Sequence, residues 1–366
     1  MKGSLLNKKA ENERDQLDLV PFLYVYHELM LDHCGPPSSF ESPSRFSQIS
    51  ALIRASPYAC EGANIKDEEV MQFVLRVHSR AHLAYLDSLA GSLASERSKW
   101  GCSTCSFVNE PTSSLCDMCK ERQPKNKWLY FEQLDGDTTY YNSATRTASL
   151  KAVKCACKLA LMLVQGETKS GFAVVRPPGH HAGRERVEGF CVLNSTAIAA
   201  EAALAAGAKR IFIFDWDVHH GNGIQDHFYK RADVFYASIH AEGIYPHTGN
   251  EEDVGDGEGV GFTLNVPLSK GTDTKQYVHA FTRAILPAME GYAPDLVIIA
   301  AGFDALSSDP MHIFDVNQSA YSTMLSSISA ALPTTPVGLI LEGGYDSRSI
   351  ASAIDHCAQV LFDMKS

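Results

Sequence analysis

Apolar residues along this chain are distributed in two ways. Short unbroken runs such as IFIF at 211–214, VFYASI at 234–239, LVIIAA at 296–301 and VGLIL at 337–341 are rich in β-branched and aromatic residues. They lack polar alternation, as expected of strands covered on both faces in a parallel sheet. Between them, apolar residues recur at helical spacing from Ser195 to Ala206, briefly after Gly223, from Thr274 to Met289, after Asn317 and at the C-terminus. This alternation predicts an α/β fold with an open, mostly parallel, doubly wound sheet carrying helices on both faces. Upstream, Leu19 to Tyr26 reads as a first strand, residues 27–45 as a long surface loop, and Arg45 as the start of a helix. One helix is expected from Glu68 to Leu89 and another from Ala148 to Val164. His78 and His82 lie one turn apart on the first of these and are read as packing and capping residues, since no third ligand is near them in sequence.

In such sheets ligands gather at the carboxyl ends of the strands. The polar motifs fall there: Arg176-Pro-Pro-Gly-His180-His181, Asp215/Asp217/His219, Ser238/His240, Asp304 and Gly343-Gly344-Tyr345. In IFIFDWDVHHGNG, Asp217 and His219 are two apart on extended chain and point the same way. A carboxylate and an imidazole suit a divalent ion such as zinc, and Asp304 supplies a third ligand with one position left open, the pattern of a catalytic site. His180 and His181 follow a rigid Pro-Pro-Gly turn that aims both imidazoles at the site, with Asp215 the natural partner of one and Asn222 of the other. A histidine there can take a proton from water and return it to a leaving amine. Tyr345 can donate to an oxyanion opposite the metal. The competing reading, a polar turn whose acids cap the next helix, does not explain why three strand ends agree.

With 366 residues, 45% of them hydrophobic, the chain suffices for one large core and a small accessory module. A net charge of −11 leaves no broad basic surface for phosphates, so no direct DNA binding is expected. No stretch is long and apolar enough for a bilayer, and a soluble intracellular protein is expected. Four of the ten cysteines, Cys102, Cys105, Cys116 and Cys119, form paired CxxC knuckles, the spacing of a structural zinc site rather than a disulfide framework. Polar flanks make this finger, residues 98–123, an insertion in a catalytic domain spanning 19–366.

RPPGHHA with GFCVLN, DWDVHHGNG, SIHAEGIYP, AGFDALSSDP and LEGGY together resemble the zinc-dependent histone deacetylase family, whose fold is arginase-like. Asn222 in HHGNG and Glu342 in LEGGY resemble the class II branch. The resemblance implies hydrolysis of acetyl-lysine in protein tails such as histones, regulating chromatin and transcription. By it, His181 is the general base and then acid, His180 its electrostatic partner and Tyr345 the oxyanion donor. Asp217, His219 and Asp304 would bind catalytic zinc. Gly189, Phe190 and Tyr245 would line the acetyl-lysine tunnel. Asp135, or its neighbour Asp137, would accept the substrate backbone N–H, and Arg45 would border an acetate channel. Potassium beneath the zinc would match Asp215, Asp217, His219, Ser238 and Ile239, with a second correspondence near Phe228 and Val234. A non-catalytic acetyl-lysine binder and a deacetylase of small acetylated amines are the other readings of the same pocket. The chain departs from the family pattern in SSFESPSR, where His-Pro-Glu is frequent, in His247 of YPHTG, and in Met311, a pocket position commonly leucine. The finger resembles the Ran-binding-protein type, found in ubiquitin- or RNA-binding modules and implying a nuclear or cytoplasmic protein. Ser106-Phe107 and Met118 resemble the ubiquitin-binding pattern, and no Arg or Lys lies between Cys102 and Cys119. Ubiquitin is therefore the expected partner, with a purely structural finger as the alternative.

Overall fold

In the computed structural model, residues 22–365 are described apart from 37–38, 57–58, 62–64, 96–99, 102–107, 110–117, 119, 121–130 and 135–138. Eight strands, β1 (Leu23–Tyr26), β2 (Ala59–Glu61), β3 (Ser170–Ala173), β4 (Ile211–Asp215), β5 (Val234–Ala241), β6 (Thr263–Leu268), β7 (Leu296–Ala301) and β8 (Val337–Leu341), form one open sheet. Their order is β6-β5-β4-β7-β8-β3-β1-β2, and every pairing is parallel. The apolar runs become the centre of this sheet. Every residue of β3, β4, β5, β7 and β8 is buried, so both faces of the central strands are covered.

The helices pack in two groups. Thr145–Val164 lies against Ser195–Ala205, which also meets Asp67–Val77; Ser347–Lys365 lies against Ser44–Ala55 and Ser319–Ala331. Ser195–Ala205 is almost entirely small residues, and nine of its eleven positions are buried. A helix of that composition presents no polar face and is stable only with neighbours around it.

Several sequence expectations change. The stretch expected to be a surface loop contains a 3-10 turn at Glu28–Asp32 and drives Met30, His33 and Glu41 into the interior. For Glu41 the reason is electrostatic: its carboxylate meets two buried guanidinium groups, Arg45 four residues on and Arg176 from a distant part of the chain. The single helix expected from Glu68 to Leu89 is two, Asp67–Val77 and Arg80–Ser95. His78 leaves the helix at φ −106°, ψ 148°, and the Ser79 hydroxyl accepts from His82 N at 3.0 Å, starting the next helix. Both histidines are buried in packing roles: His78 Nε2 accepts from Asn194 N at 2.9 Å, and His82 Nε2 lies 3.1 Å from the Val192 carbonyl. The helix opening at Thr274 passes through one π turn, Phe281–Ile285, and continues from Leu286 to Tyr292. The edge strands β2 and β6 were not expected; β6 alternates in burial and carries Pro267, which an edge position tolerates.

Candidate active site

Asp215 ends β4, and the chain then turns so that backbone amides clamp the next carboxylates. Asp217 Oδ1 accepts from His219 N at 2.9 Å and its Oδ2 from Gly343 N at 2.8 Å; Asp304 Oδ1 accepts from Val218 N at 2.9 Å. His219 Nδ1 lies 3.0 Å from Asp217 Oδ1 and 3.1 Å from Asp304 Oδ2. These three side chains place donor atoms within 4.8 Å of one another. Donors about 2.0–2.2 Å from a tetrahedral zinc ion lie roughly 3.3–3.6 Å apart, a little wider than the 3.0 and 3.1 Å separations here, so the donor set fits zinc with a small outward shift. The neighbouring glycines make room for the carboxylates. A Cβ on Gly302 would stand 2.2 Å from Asp217 Oδ2, and one on Gly343 would stand 2.3 Å from Asp304 Oδ2.

The turn after β3 brings two imidazoles over this group, their centroids 4.0 Å apart. His180 Nδ1 is 3.1 Å from Asp215 Oδ2, and its Nε2 is 3.8 Å from Asp217 Oδ2. His181 Nδ1 is 2.8 Å from Asn222 Oδ1. Burial opposes charge on His180, but Asp217 and Asp215 outweigh it and raise its pKa to about 10. For His181 burial is reinforced by His180 and His219, which hold it well below the ordinary value and keep it neutral. Burial, then the Asp304 charge, raise the Tyr345 phenol and keep it a donor.

Behind the turn stands Glu342. Its carboxylate accepts from Gly179 N at 2.6 Å, His180 N at 3.0 Å and Thr196 Oγ1 at 2.7 Å, which fixes the backbone that carries both histidines. Arg45 donates to the carbonyls of Glu342 and Gly344 and sits 5.1 Å from the Tyr345 ring centre. Glu41 in turn holds Arg45 at 3.3 Å and Arg176 at 2.9 and 2.7 Å. Asp309 Oδ2 accepts from Tyr345 N at 2.7 Å. Glu41 lies in SSFESPSR and Asp309 in AGFDALSSDP, and neither motif marks them as functional. Glu41 precedes Arg45 by one helical turn, and that spacing was the available signal.

Gly189, Phe190 and Tyr245 meet at the mouth. Gly189 has φ +55°, and a Cβ there would stand 2.3 Å from the His181 ring and 2.9 Å from Tyr245, so only glycine lets those rings approach. His181 and Tyr245 pack edge to face at 5.1 Å, as do Phe190 and Tyr345 at 5.7 Å. Phe40, in the divergent SSFESPSR loop, lies 6.0 Å from Tyr345 and is 46% exposed. Met311 is half-buried at the same end of the sheet, and His247 is exposed on a turn at φ +64°. Ser238 pairs in register with Asp215, its Oγ 2.9 Å from His240 Nδ1, and Ile239 follows on β5. Phe228 ends a short helix and Val234 begins β5; both are buried. Asp135 and Asp137 lie outside the described residues, as do Cys102, Cys105, Cys116, Cys119, Ser106 and Phe107. Of the finger segment, Trp100–Gly101 pairs antiparallel with Val108–Asn109, and Met118 is 66% exposed.

The family model described as the histone deacetylase domain matches residues 39–361. Histone deacetylase 15 of Arabidopsis thaliana is 44% identical over 237 residues, 64% of this chain and 43% of that relative. Histone deacetylase 4 of Caenorhabditis elegans is 37% identical over 355 residues, 92% of this chain and 38% of that relative. The chain thus spans less than half the length of the curated relatives it matches. The crystal structure of the HDA15 HD domain superposes with a TM-score of 0.77 at 33% identity, covering 93% of this chain and 90% of that one. An eight-stranded parallel sheet, a matching structure and a family match over most of the chain lead to one conclusion: the chain belongs to the histone deacetylase family.

Proposed function

We propose that the chain is a zinc-dependent lysine deacetylase that hydrolyses Nε-acetyl-lysine in protein tails, histones foremost, and so acts on chromatin and transcription. The observation that carries this reading is the convergence of Asp217, His219 and Asp304 beneath the paired imidazoles of His180 and His181. Zinc held by those three ligands would polarise the acetyl carbonyl and acidify water. Neutral His181 accepts the proton of the attacking water as the C–O bond forms and the carbonyl becomes a tetrahedral oxyanion, then returns that proton to the lysine nitrogen as the C–N bond breaks and the carbonyl is restored. His180, held charged by Asp215 and Asp217, offsets the negative charge of the carboxylates and of the developing oxyanion. Tyr345 donates its hydroxyl to that oxyanion. Gly189, Phe190 and Tyr245 form the apolar passage for the lysine stem, Asp135 receives the substrate backbone N–H, and Arg45 borders the way out for acetate. Potassium at Asp215, Asp217, His219, Ser238 and Ile239 would stiffen the strand ends under the zinc. Assay of wild type beside Asp217→Ala and Tyr345→Phe on an acetyl-lysine peptide tests the reading. Wild type is expected to be faster than either by at least about a hundredfold; equal rates would leave an acetyl-lysine binder.

Peptide is favoured over small acetylated polyamines. A polyamine pocket needs a carboxylate at its mouth, where this chain has Met311. The nearby Asp309 is 2% exposed and its oxygens are taken by the amides of Met311 and Tyr345. A preference for N-acetylspermidine in kcat/KM would reverse this assignment.

The cysteine knuckles support a zinc finger at 98–123, inserted in a catalytic domain of 19–366, with ubiquitin as its partner through Ser106, Phe107 and the exposed Met118. The lack of Arg or Lys between Cys102 and Cys119 weighs against RNA. Titrating labelled ubiquitin and a GU-rich RNA separately against the whole chain distinguishes them: ubiquitin binding is expected, and RNA binding alone would overturn it. A nuclear or cytoplasmic site of action follows from the substrate, and no described helix is long and apolar enough to cross a membrane.

A further inference from the structure

Asn222 stands where an acid would give His181 the more direct partner, and an amide is an ambiguous one. Its oxygen accepts and its nitrogen donates, so an unconstrained Asn222 can stabilise either tautomer of His181. The surroundings remove that ambiguity. Glu188 Oε1 lies 2.6 Å from Asn222 Nδ2, and a carboxylate can only accept, so the amide nitrogen must face Glu188. The amide oxygen then faces His181, 2.8 Å from Nδ1. Nδ1 must therefore carry the proton, which leaves the Nε2 lone pair free for the proton of water. Arg186 also reaches Glu188 Oε1, at 3.1 Å, and Asp226 at 3.5 Å, so it holds the carboxylate from the solvent side. Glu188 is fixed from a third direction: its backbone pairs with Cys191 on either side of Gly189 and Phe190, N to O at 3.2 Å and O to N at 2.9 Å.

We propose that Glu188 is a positioning residue for the reaction: through Asn222 it sets the tautomer of His181 and supplies, one amide removed, the negative charge that an aspartate at position 222 would supply directly. Neither the position of Glu188 in GFCVLN's approach, RVEGFC, nor its partial exposure marks it as functional; the chain Glu188–Asn222–His181 does. The inference rests on the deacetylase reading for the role of His181, but not for the hydrogen-bond order itself.

Two readouts on the zinc-loaded whole chain test it. In the first, kcat and KM on an acetyl-lysine peptide are measured for Glu188→Ala and Glu188→Gln, each alone and with Asn222→Asp. Glu188→Ala is expected to lower kcat about tenfold with KM within about twofold, the range seen when partners of site residues are removed. Glu188→Gln, which can still accept from Asn222, recovers most of that loss. With Asp at 222 the sign reverses, because two carboxylates then face each other: removing Glu188 leaves kcat unchanged or raises it. Equal losses in both backgrounds, or no loss from Glu188→Ala in an active enzyme, would overturn the proposal. The second readout is independent of turnover: nitrogen-15 spectra of labelled histidine report which ring nitrogen of His181 is protonated. Wild type is expected to show Nδ1–H, and Glu188→Ala to shift toward Nε2–H as the amide turns over. An unchanged tautomer in Glu188→Ala would sink the idea. If wild type showed the Nδ1–H signature and lost it in Glu188→Ala yet hydrolysed nothing, the deacetylase reading would fail while the relay stood.

Discussion

Glu41 and Asp304 are both carboxylates without exposed surface, yet their surroundings drive them in opposite directions. Burial opposes the charge on Glu41, but Arg176, His33 and Arg45 outweigh it and lower its pKa to about 2. Tyr140 adds a hydrogen bond at 2.7 Å. Around Asp304, burial and the Asp217 charge both push the pKa up, with His219 and a backbone amide the opposing partners. No lysine or arginine pairs with Asp217 or Asp304 among the described residues, and Asp215 and Glu342 add two more buried carboxylates close by. One cluster is neutralised by the chain itself and serves as scaffold. The other carries more negative charge than its imidazoles offset, an arrangement that a divalent cation completes. Buried charge therefore marks function here by its imbalance, and the balanced cluster is what holds Arg45 against the site.

The largest expected effect is on the unbalanced side. Asp304→Asn should lower kcat/KM by more than about a hundredfold, while its melting temperature in chelator stays at or above that of wild type, because a repulsion has been removed. A clear loss of metal-free stability would erase the contrast. Next comes Glu41→Gln, which leaves Arg176 buried with no carboxylate. It should cost about 3 kcal/mol in chemical denaturation, whether or not metal is present. Because the folded-state pKa lies below the ordinary 4.5, the contribution of Glu41 is present in full above that pH and is lost as pH falls through about 2. Wild type should therefore lose its advantage over Glu41→Gln on acidification, and a constant difference down to pH 2 would contradict the assignment. A smaller effect is expected at the rim. Phe40→Ser should raise KM for peptide by about threefold with kcat little changed, since it removes apolar surface beside Tyr345 without touching the reacting groups. Smallest is Met311→Glu, expected to improve kcat/KM on N-acetylspermidine from a low base while leaving peptide hydrolysis within about twofold.

The central strands were legible because strands buried on both faces read as unbroken apolar runs, and IFIF, LVIIAA and VGLIL take their places side by side in register. Edge strands carry no such signal: TLNVPL alternates and contains proline, and ACE is too short to show a pattern. The strand-end motifs were legible for a different reason. Parallel topology delivers every carboxyl end to one rim, so residues as far apart as Asp217 and Asp304 can be assigned to one place without knowing the packing. What could not be read was the support behind the rim. Glu41 looks like a loop residue until Arg176, 135 positions away, is seen to pair with it. Glu188 sits among alternating charges, RERVE, that suggest a solvated turn, and only its distance to Asn222 reveals a direction. Likewise the helix break at His78 depends on contacts with Asn194 and on the Ser79 cap, neither of which periodicity records.

The most direct test of the central claim is metal stoichiometry measured together with turnover. The whole chain is stripped with chelator, titrated with zinc, and followed by metal analysis and by acetate release from an acetyl-lysine peptide, beside Asp217→Ala. Wild type should take up about two zinc ions, one at Asp217, His219 and Asp304 and one at the cysteine knuckles, and Asp217→Ala about one. Hydrolysis should appear only with the ion that Asp217→Ala fails to bind. Equal zinc uptake by the two proteins, or acetate release that persists in the stripped wild type, would contradict the account.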